Sequence, residues 1–224
     1  MKIEMGESLI YSWLRHIKKC QLVQTNWKVS LHWSFKNEIE IKNLFAKLDI
    51  HYQTKMRYKI FKKTSCVSQI IKQTESDALG IHIENGSTSF YTVDIAFHEQ
   101  GLCYGTKEET TAKIIAKMVR TAFCLYGYFD IKNAEIIFAA PKVSDSILNE
   151  LDIDYLNKFF SENGFDFNFK VIFNNSFNND ILQEVLKISK DVADTNELFL
   201  RSYQMCAMFK KNNKRQGIQH DDLT

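Results

Sequence analysis

The feature that most constrains the fold is Asn85-Gly86, which lies between two runs rich in β-branched and aromatic residues. Asn-Gly in this setting is the strongest short signal for a β-hairpin, because a type I′ turn requires positive φ at both central residues. With a two-residue loop, Glu84 pairs with Ser87, and the pairing continues back along both strands until Asp77 lies opposite Asp94. The sequence therefore predicts two aspartates at one end of the hairpin, with Cβ atoms about 4.5–5.5 Å apart.

Two carboxylates placed in this way need an explanation, because like charges directly opposite each other destabilise a sheet. Either water solvates them, one of them is protonated, or a cation lies between Asp77 and Asp94. Mg²⁺ prefers carboxylate oxygens and keeps several waters, so the pair is a candidate magnesium site. Glu75 and His98 share this face by the two-residue period of a strand. The alternative is an edge hairpin with solvated acids, and the sequence leaves both interpretations open.

An acid before an apolar strand, a turn, a second strand ending in an acid and then a long helix resembles the PD-(D/E)XK, or restriction-endonuclease-like, nucleases. The first half of the motif is Glu75-Ser76-Asp77-Ala78-Leu79-Gly80-Ile81, and the second half is Tyr91-Thr92-Val93-Asp94-Ile95-Ala96. The resemblance covers roughly residues 5–140. It implies a nuclease that hydrolyses DNA phosphodiester bonds with Mg²⁺ or Mn²⁺, in restriction, phage defence or repair. Asp77 and Asp94 would be catalytic metal ligands, assisted by Glu7 from the first helix and by Glu75.

The resemblance departs from the family pattern at Ala96, where the family has a lysine. Both migration of that lysine to a neighbouring element and loss of activity are known in this superfamily. Lys28, if its strand lies beside the hairpin, and His98 are the candidates to replace it. The alternative for each is an ordinary exposed residue at a strand end. The alternative for Glu7 is a first-turn acid that complements the helix dipole.

The charge distribution favours a nucleic-acid-facing part. Residues 1–73 contain 14 Lys or Arg and 5 Asp or Glu, a net charge of +9, whereas the whole chain carries only +2. Residues 31–73 are predicted to be a basic helical insertion that holds the DNA backbone. Within it, His51 to Lys63 mixes aromatic residues with bases, which suits phosphate neutralisation and base stacking. The alternative is a basic helix that packs its aromatic rings inward.

The predicted fold class is α/β, with a mixed central β-sheet flanked by helices in a single domain over 1–224. A restriction-endonuclease-like core is followed by a C-terminal α/β extension over 141–224. A helix between the hairpin and the next strand predicts a parallel crossover. Besides the hairpin, strands are expected at 20–30, 134–139 and 165–173, and helices at 5–19, 38–48, 106–126, 144–162, 181–189 and 195–211. Residues 65–73 are expected to end a second helix. Gly127 is expected to end the long helix, and 174–179 to form a loop.

Several function classes are excluded by missing motifs: the sequence has no P-loop, no Rossmann glycine fingerprint, no serine elbow and no HExxH. The five cysteines have no CxxC spacing, which favours reduced cytosolic thiols. The sequence has no apolar stretch of 18 residues, so we expect a soluble, cytoplasmic protein without a membrane partner. A homodimer is expected by analogy alone. The alternatives to a nuclease are a non-catalytic module that binds nucleic acid or protein on the same fold, and an α/β enzyme acting on a small molecule.

Overall fold

In a computed structural model the chain forms a mixed sheet of five strands with helices on both faces. The structure describes residues 4–30, 32–57, 59–61, 66–193 and 195–216. The strands are adjacent in chain order, the first three antiparallel and the last three parallel. They are β1 (Leu22–Lys28), β2 (Glu75–Glu84), β3 (Ser87–Ile95), β4 (Asn133–Ala140) and β5 (Asp166–Phe173). This confirms the predicted α/β class with a mixed central sheet and the parallel pairing after the hairpin.

Nine α-helical segments and two π-helical turns surround the sheet in the described ranges. They are α1 (Met5–Ser12) with a π turn (Trp13–Ile17), α2 (Glu38–Met56), α3 (Val67–Lys72), α4 (Lys107–Phe129), α5 (Asp145–Leu148), α6 (Ile153–Glu162), α7 (Asn174–Ser176) with a π turn (Phe177–Leu182), α8 (Gln183–Ile188) and α9 (Leu198–Gln216). Within the same ranges, none of these helices is both long and apolar enough to cross a membrane.

Two hydrophobic cores lie on the two faces of the sheet, because alternate residues of each strand point to opposite sides. Val93 and Ile137 pack under α1, α8 and α9. Ile136 and Phe138 pack on the other side with α2, α4 and α6. By this alternation Asp77 and Asp94 belong to the face that α4 covers.

The hairpin has the predicted register from Glu84↔Ser87 to Ala78↔Val93. Asn85 and Gly86 adopt φ of 50° and 79°, as a type I′ turn requires. The ladder stops one pair before Asp77 and Asp94, which therefore do not form the direct cross-strand pair that the turn geometry predicts.

The prediction that Gly127 ends the long helix is wrong. Helix α4 continues to Phe129 and ends at Asp130, which takes the left-handed φ of 58°. Gly127 lies inside the helix, and Phe35 packs closely against it. A Cβ at this position would lie 2.2 Å from Phe35 Cε2. Glycine is needed here for close packing rather than for helix termination.

Two other predicted elements differ in the C-terminal part. The expected helix over 144–162 is two helices, α5 and α6, separated at residues 149–152. The expected loop at 174–179 is helical, because Ser176 Oγ donates to the Phe173 carbonyl at 2.7 Å and Phe177 is buried. Strand β5 extends the same sheet beside β4.

The basic segment 31–73 forms α2 and α3, and its aromatic rings follow the inward alternative where they are described. Tyr52 is fully buried, and Phe61 stacks on Phe45 with ring centroids 4.0 Å apart. Tyr58 and residues 62–65 lie outside the described residues. The aromatic part of the predicted nucleic-acid groove is thus used for packing at these two positions.

Candidate active site

Asp77 and Asp94 lie where strands β2 and β3 separate. Beyond Ala78↔Val93 the cross-strand ladder is replaced by a side-chain contact, in which Ile95 N–H donates to Asp77 Oδ2 at 2.7 Å. One residue later, Ala96 N–H donates to the Ala139 carbonyl of β4 at 3.0 Å. The aspartates are therefore still brought together at the end of the hairpin, and one of them holds the backbone of the strand that carries the other.

Asn26 interrupts the other side of β2 at the same level. The β1–β2 ladder pairs Thr25 with Ala78 and Trp27 with Ser76 but omits Asn26, which adopts the left-handed φ of 52°. Asparagine tolerates this conformation better than most residues. Asn26 lies level with Asp77, so neither neighbouring strand continues its regular ladder there.

The sequence prediction missed the third member of the site, Lys117 on helix α4. Its Nζ lies 3.0 Å from Asp94 Oδ1, and also 5.9 Å from the centroid of the Phe138 ring. The Asp94 side chain is 4% exposed and the Lys117 side chain 33% exposed. Lys117 therefore covers a buried carboxylate while keeping part of its own side chain accessible to solvent.

Electrostatics distinguish this cluster from an ordinary surface ion pair. Burial raises the pKa of Asp94 to about 6, because Lys117 offsets only part of the desolvation and the charge of Asp77 adds to it. Burial also raises the pKa of Asp77, against the opposing effects of Lys117 and the Ile95 N–H. Burial alone would lower the pKa of Lys117, but the two carboxylates outweigh it and raise that pKa. Lys117 contacts Asp94 directly and acts on Asp77 only through its charge, so neither carboxylate is fully compensated for its burial.

The other predicted site residues lie around this cluster without joining it. Lys28 Nζ pairs with Glu75 Oε1 at 3.0 Å, and both side chains are largely exposed. His98 is exposed, and its ring meets the edge of the Tyr104 ring at 5.7 Å. The ammonium on Asp94 thus comes from Lys117 rather than from Lys28, and His98 contacts an aromatic ring rather than a carboxylate.

Glu7 is closer to the alternative interpretation, a first-turn acid of helix α1, than to a metal ligand. It is 8% exposed, it completes a capping box at the start of α1, and its Oε2 accepts from Asn26 Nδ2 at 2.7 Å. Because α1 covers the opposite face of the sheet, Glu7 is separated from the acid pair by Asn26. Glu7 supports the irregular stretch of β1 beside Asp77.

Two neighbouring carboxylates are donors of the kind that Mg²⁺ or Mn²⁺ takes. In the ranges that the structure describes, no group of three or more His, Cys, Asp or Glu side chains could hold a metal. Mg²⁺ commonly uses only one or two carboxylates and completes its shell with waters and substrate phosphates. Asp77 Oδ2 and Asp94 Oδ1 have hydrogen-bond donors, which leaves the second oxygen of each carboxylate as the candidate ligand.

A separate cleft lies on the other face of the sheet, and polar groups that line it are paired within the protein. A space of about 520 Å³ opens between the two π turns on the α1 face, beside Trp13, Lys18 and Lys170. Lys170 Nζ pairs with Glu135 Oε2 at 2.9 Å, and Trp13 Nε1 donates to the Asp180 carbonyl at 2.8 Å. Because these polar groups are paired within the protein, the cleft is a weaker candidate active site than the cluster of Asp77 and Asp94.

The sequence of α4 contains a pattern that indicates an internal partner for Lys117. Thr110, Ile114 and Thr121 are buried on α4, and Lys117 falls between them at the three- and four-residue spacing of one helix face. A lysine within such a face needs an internal partner. The long helix follows the acid hairpin directly, so that partner was available from the sequence.

Comparison of the chain with models of known protein families, with curated proteins and with solved structures finds no match.

Proposed function

We propose that this protein is a metal-dependent nuclease that hydrolyses phosphodiester bonds in DNA. One observation carries the proposal: the Lys117 ammonium contacts the buried carboxylate of Asp94 beside Asp77, at the end of the hairpin. Two carboxylates and a lysine are the groups that the nuclease resemblance requires. The lysine would have moved from position 96 to the helix that follows.

Each residue of the cluster has a distinct role in this proposal. Asp77 and Asp94 hold the metal, which when bound polarises the phosphate and lowers the pKa of a water ligand. The Ile95 N–H fixes the orientation of Asp77, and the buried position of Asp94 fixes its rotamer. Lys117 donates to a phosphate oxygen and stabilises the negative charge that develops there. Its partly exposed side chain is the part of the pair that a substrate meets first.

The test is cleavage of single-stranded and duplex DNA with Mg²⁺ or Mn²⁺. Wild type is compared with Asp77→Asn, Asp94→Asn and Lys117→Gln, and Lys28→Gln is the matched control because that lysine pairs with an exposed Glu75. We expect each of the three site variants to lose at least about 100-fold in rate, as single catalytic groups typically do. The control should stay within about twofold of wild type.

A non-catalytic binding module on the same fold is the second candidate. The observation that favours it is the ion pair itself, since Lys117 occupies one of only four carboxylate oxygens in the cluster. This candidate predicts salt-sensitive DNA binding without cleavage, unchanged in Asp77→Asn and Asp94→Asn. Cleavage by wild type that the site variants lose would exclude it, and absence of both binding and cleavage would refute the nucleic-acid proposal.

A further inference from the structure

Arg120 follows Lys117 on helix α4 by three residues, so the two side chains lie on neighbouring positions of one helix face. Its side chain is partly buried, and its Nε donates to the Ala116 carbonyl at 3.2 Å. Burial lowers the pKa of the guanidinium, and the nearby Asp94 opposes that effect. Arg120 therefore carries its charge at the edge of the acid cluster.

The charge of Arg120 is not matched by a direct partner. Across the described ranges, no carboxylate lies within 4.0 Å of its guanidinium nitrogens, and only Nε makes a hydrogen bond. Other cations of the same region are paired: Lys107 meets Glu150 at 2.7 Å, and Lys117 meets Asp94. The guanidinium is partly buried, so water solvates it only in part, and an oxyanion ligand would supply the hydrogen bonds that its terminal nitrogens lack within the protein.

We propose that Arg120 is the phosphate-binding residue of this site. The inference rests on the proposed function and extends it by naming the part of the substrate that Arg120 binds. A guanidinium with two terminal nitrogens available matches the paired oxygens of a phosphate in a bidentate contact. The ligand chemistry is a phosphate oxyanion, either an internal phosphodiester or a terminal phosphate of a DNA strand. Lys117 and Arg120 would then contact the same anion from adjacent positions on α4.

The opposing explanation is that Arg120 is a structural counter-ion for Asp94. The two explanations differ in what they predict for stability. A counter-ion stabilises the folded protein, so its removal lowers the melting temperature. A binding residue without a partner does not, so Arg120→Met should melt at or above the wild-type temperature.

The experiment measures DNA binding and melting temperature in the full-length protein. Fluorescence anisotropy of a fluorescein-labelled 12-nucleotide strand, in EDTA and at several salt concentrations, compares wild type with Arg120→Met and Arg120→Lys. The control is Lys107→Met, which removes a paired cation from the same helix. We expect Arg120→Met to bind about tenfold more weakly and to lower the salt slope by about 1. Arg120→Lys should restore the slope but not the full affinity, because lysine lacks the planar fork.

Strands with a 5′-phosphate and with a 5′-hydroxyl distinguish the two sources of phosphate. A tenfold loss for both strands assigns Arg120 to the internal phosphodiester, and a loss for the phosphorylated strand alone assigns it to the terminal phosphate. Binding within twofold of wild type with an unchanged slope overturns the inference, as does a lowered melting temperature without a binding defect.

Cleavage assays separate this inference from the proposed function. Arg120-dependent binding without cleavage by wild type would refute the nuclease and leave the phosphate site standing. Cleavage by Arg120→Met with wild-type kcat and KM would refute the phosphate site and leave the nuclease standing. Failure of wild type to bind any DNA strand would refute both.

Discussion

Asp94→Asn should make the folded protein more stable at neutral pH although it removes a member of the proposed site. The side chain is 3% exposed, and asparagine keeps its shape. Burial raises the pKa of Asp94 from 3.8 to about 6, so the ionised carboxylate destabilises the folded state at pH 7 by about 3 kcal/mol. The pKa of about 6 already includes the attraction to Lys117, so the loss of that pair is not a separate cost. We therefore expect a gain of about 2–3 kcal/mol in the free energy of unfolding.

Urea denaturation at pH 7.5 and pH 4.5 measures this effect and its pH dependence. A raised carboxyl pKa means that, between the ordinary value and about 6, the folded protein binds a proton that the unfolded chain does not. Wild type therefore gains stability as the pH falls through about 6, whereas the variant has no such group. The advantage of Asp94→Asn should shrink by about 2 kcal/mol between the two pH values.

Asp166→Asn, which changes an exposed aspartate at the start of β5, controls for the general effect of removing a carboxylate. A stability difference between Asp94→Asn and wild type that does not change with pH would refute the argument. So would a variant that is less stable than wild type at pH 7.5, because the ion pair with Lys117 would then outweigh the desolvation of Asp94.

Three further outcomes follow from local geometry and charge. Asn26→Ala should be about 1–2 kcal/mol less stable to urea than Asn26→Gly, since both lose the bond to Glu7 but only alanine resists the left-handed φ of 52°; equal stability would contradict this. Gly80→Ala should lower the free energy of unfolding by about 1–3 kcal/mol, because its Cβ would lie 2.8 Å from Cys20 Sγ; Cys20→Ala in the same chain should restore most of it. Mg²⁺-dependent DNA cleavage should fall as the pH drops through about 6, where Asp94 becomes protonated, and a flat profile from pH 5 to 8 would count against Asp94 as a ligand.

The sequence was sufficient for the hairpin because its signal is local. Asn85 and Gly86 determine the turn, and the period of two then sets the register as far as Ala78↔Val93. The same reasoning could not predict the end of the ladder. Asp77 accepts the Ile95 N–H with its own carboxylate, and such competition between a side chain and the backbone depends on the neighbouring strand.

Tertiary packing explains the elements that local patterns missed. Glycine is common at the ends of helices, which is why the sequence predicts an end at Gly127. In the structure, Phe35 occupies the space that a side chain at Gly127 would fill. The resemblance implies a substitute for the lysine that is absent at position 96, and a strand over 20–30 beside the hairpin favours Lys28. That strand does pair with β2, but the pairing places Lys28 opposite Glu75. Lys117, which contacts Asp94, comes from helix α4 above the sheet. Its position depends on how α4 packs on the sheet, which local sequence patterns do not determine.

A second buried carboxylate, Glu197, provides the contrast that separates structure from function in this chain. Its side chain is 3% exposed, and it meets Ser12 Oγ at 2.6 Å, His16 Nε2 at 2.9 Å and Arg15 at 3.3 Å. These partners join α1 and its π turn to the segment before α9, and no second acid within the described residues shares them. Asp94 has one lysine and a neighbouring aspartate.

If the number of bonded partners, rather than burial, determines how a buried carboxylate affects the free energy of unfolding, replacing the carboxylate by an amide should have opposite effects at Glu197 and Asp94. Glu197→Gln should lower the free energy of unfolding at pH 7.5 by about 1–3 kcal/mol, below the usual cost of breaking a buried pair because Arg15 is half exposed. Asp94→Asn should raise it. Destabilisation by both variants in the same urea experiment would mean that the acid cluster is a structural ion pair, and the case for a functional site would then depend on cleavage alone.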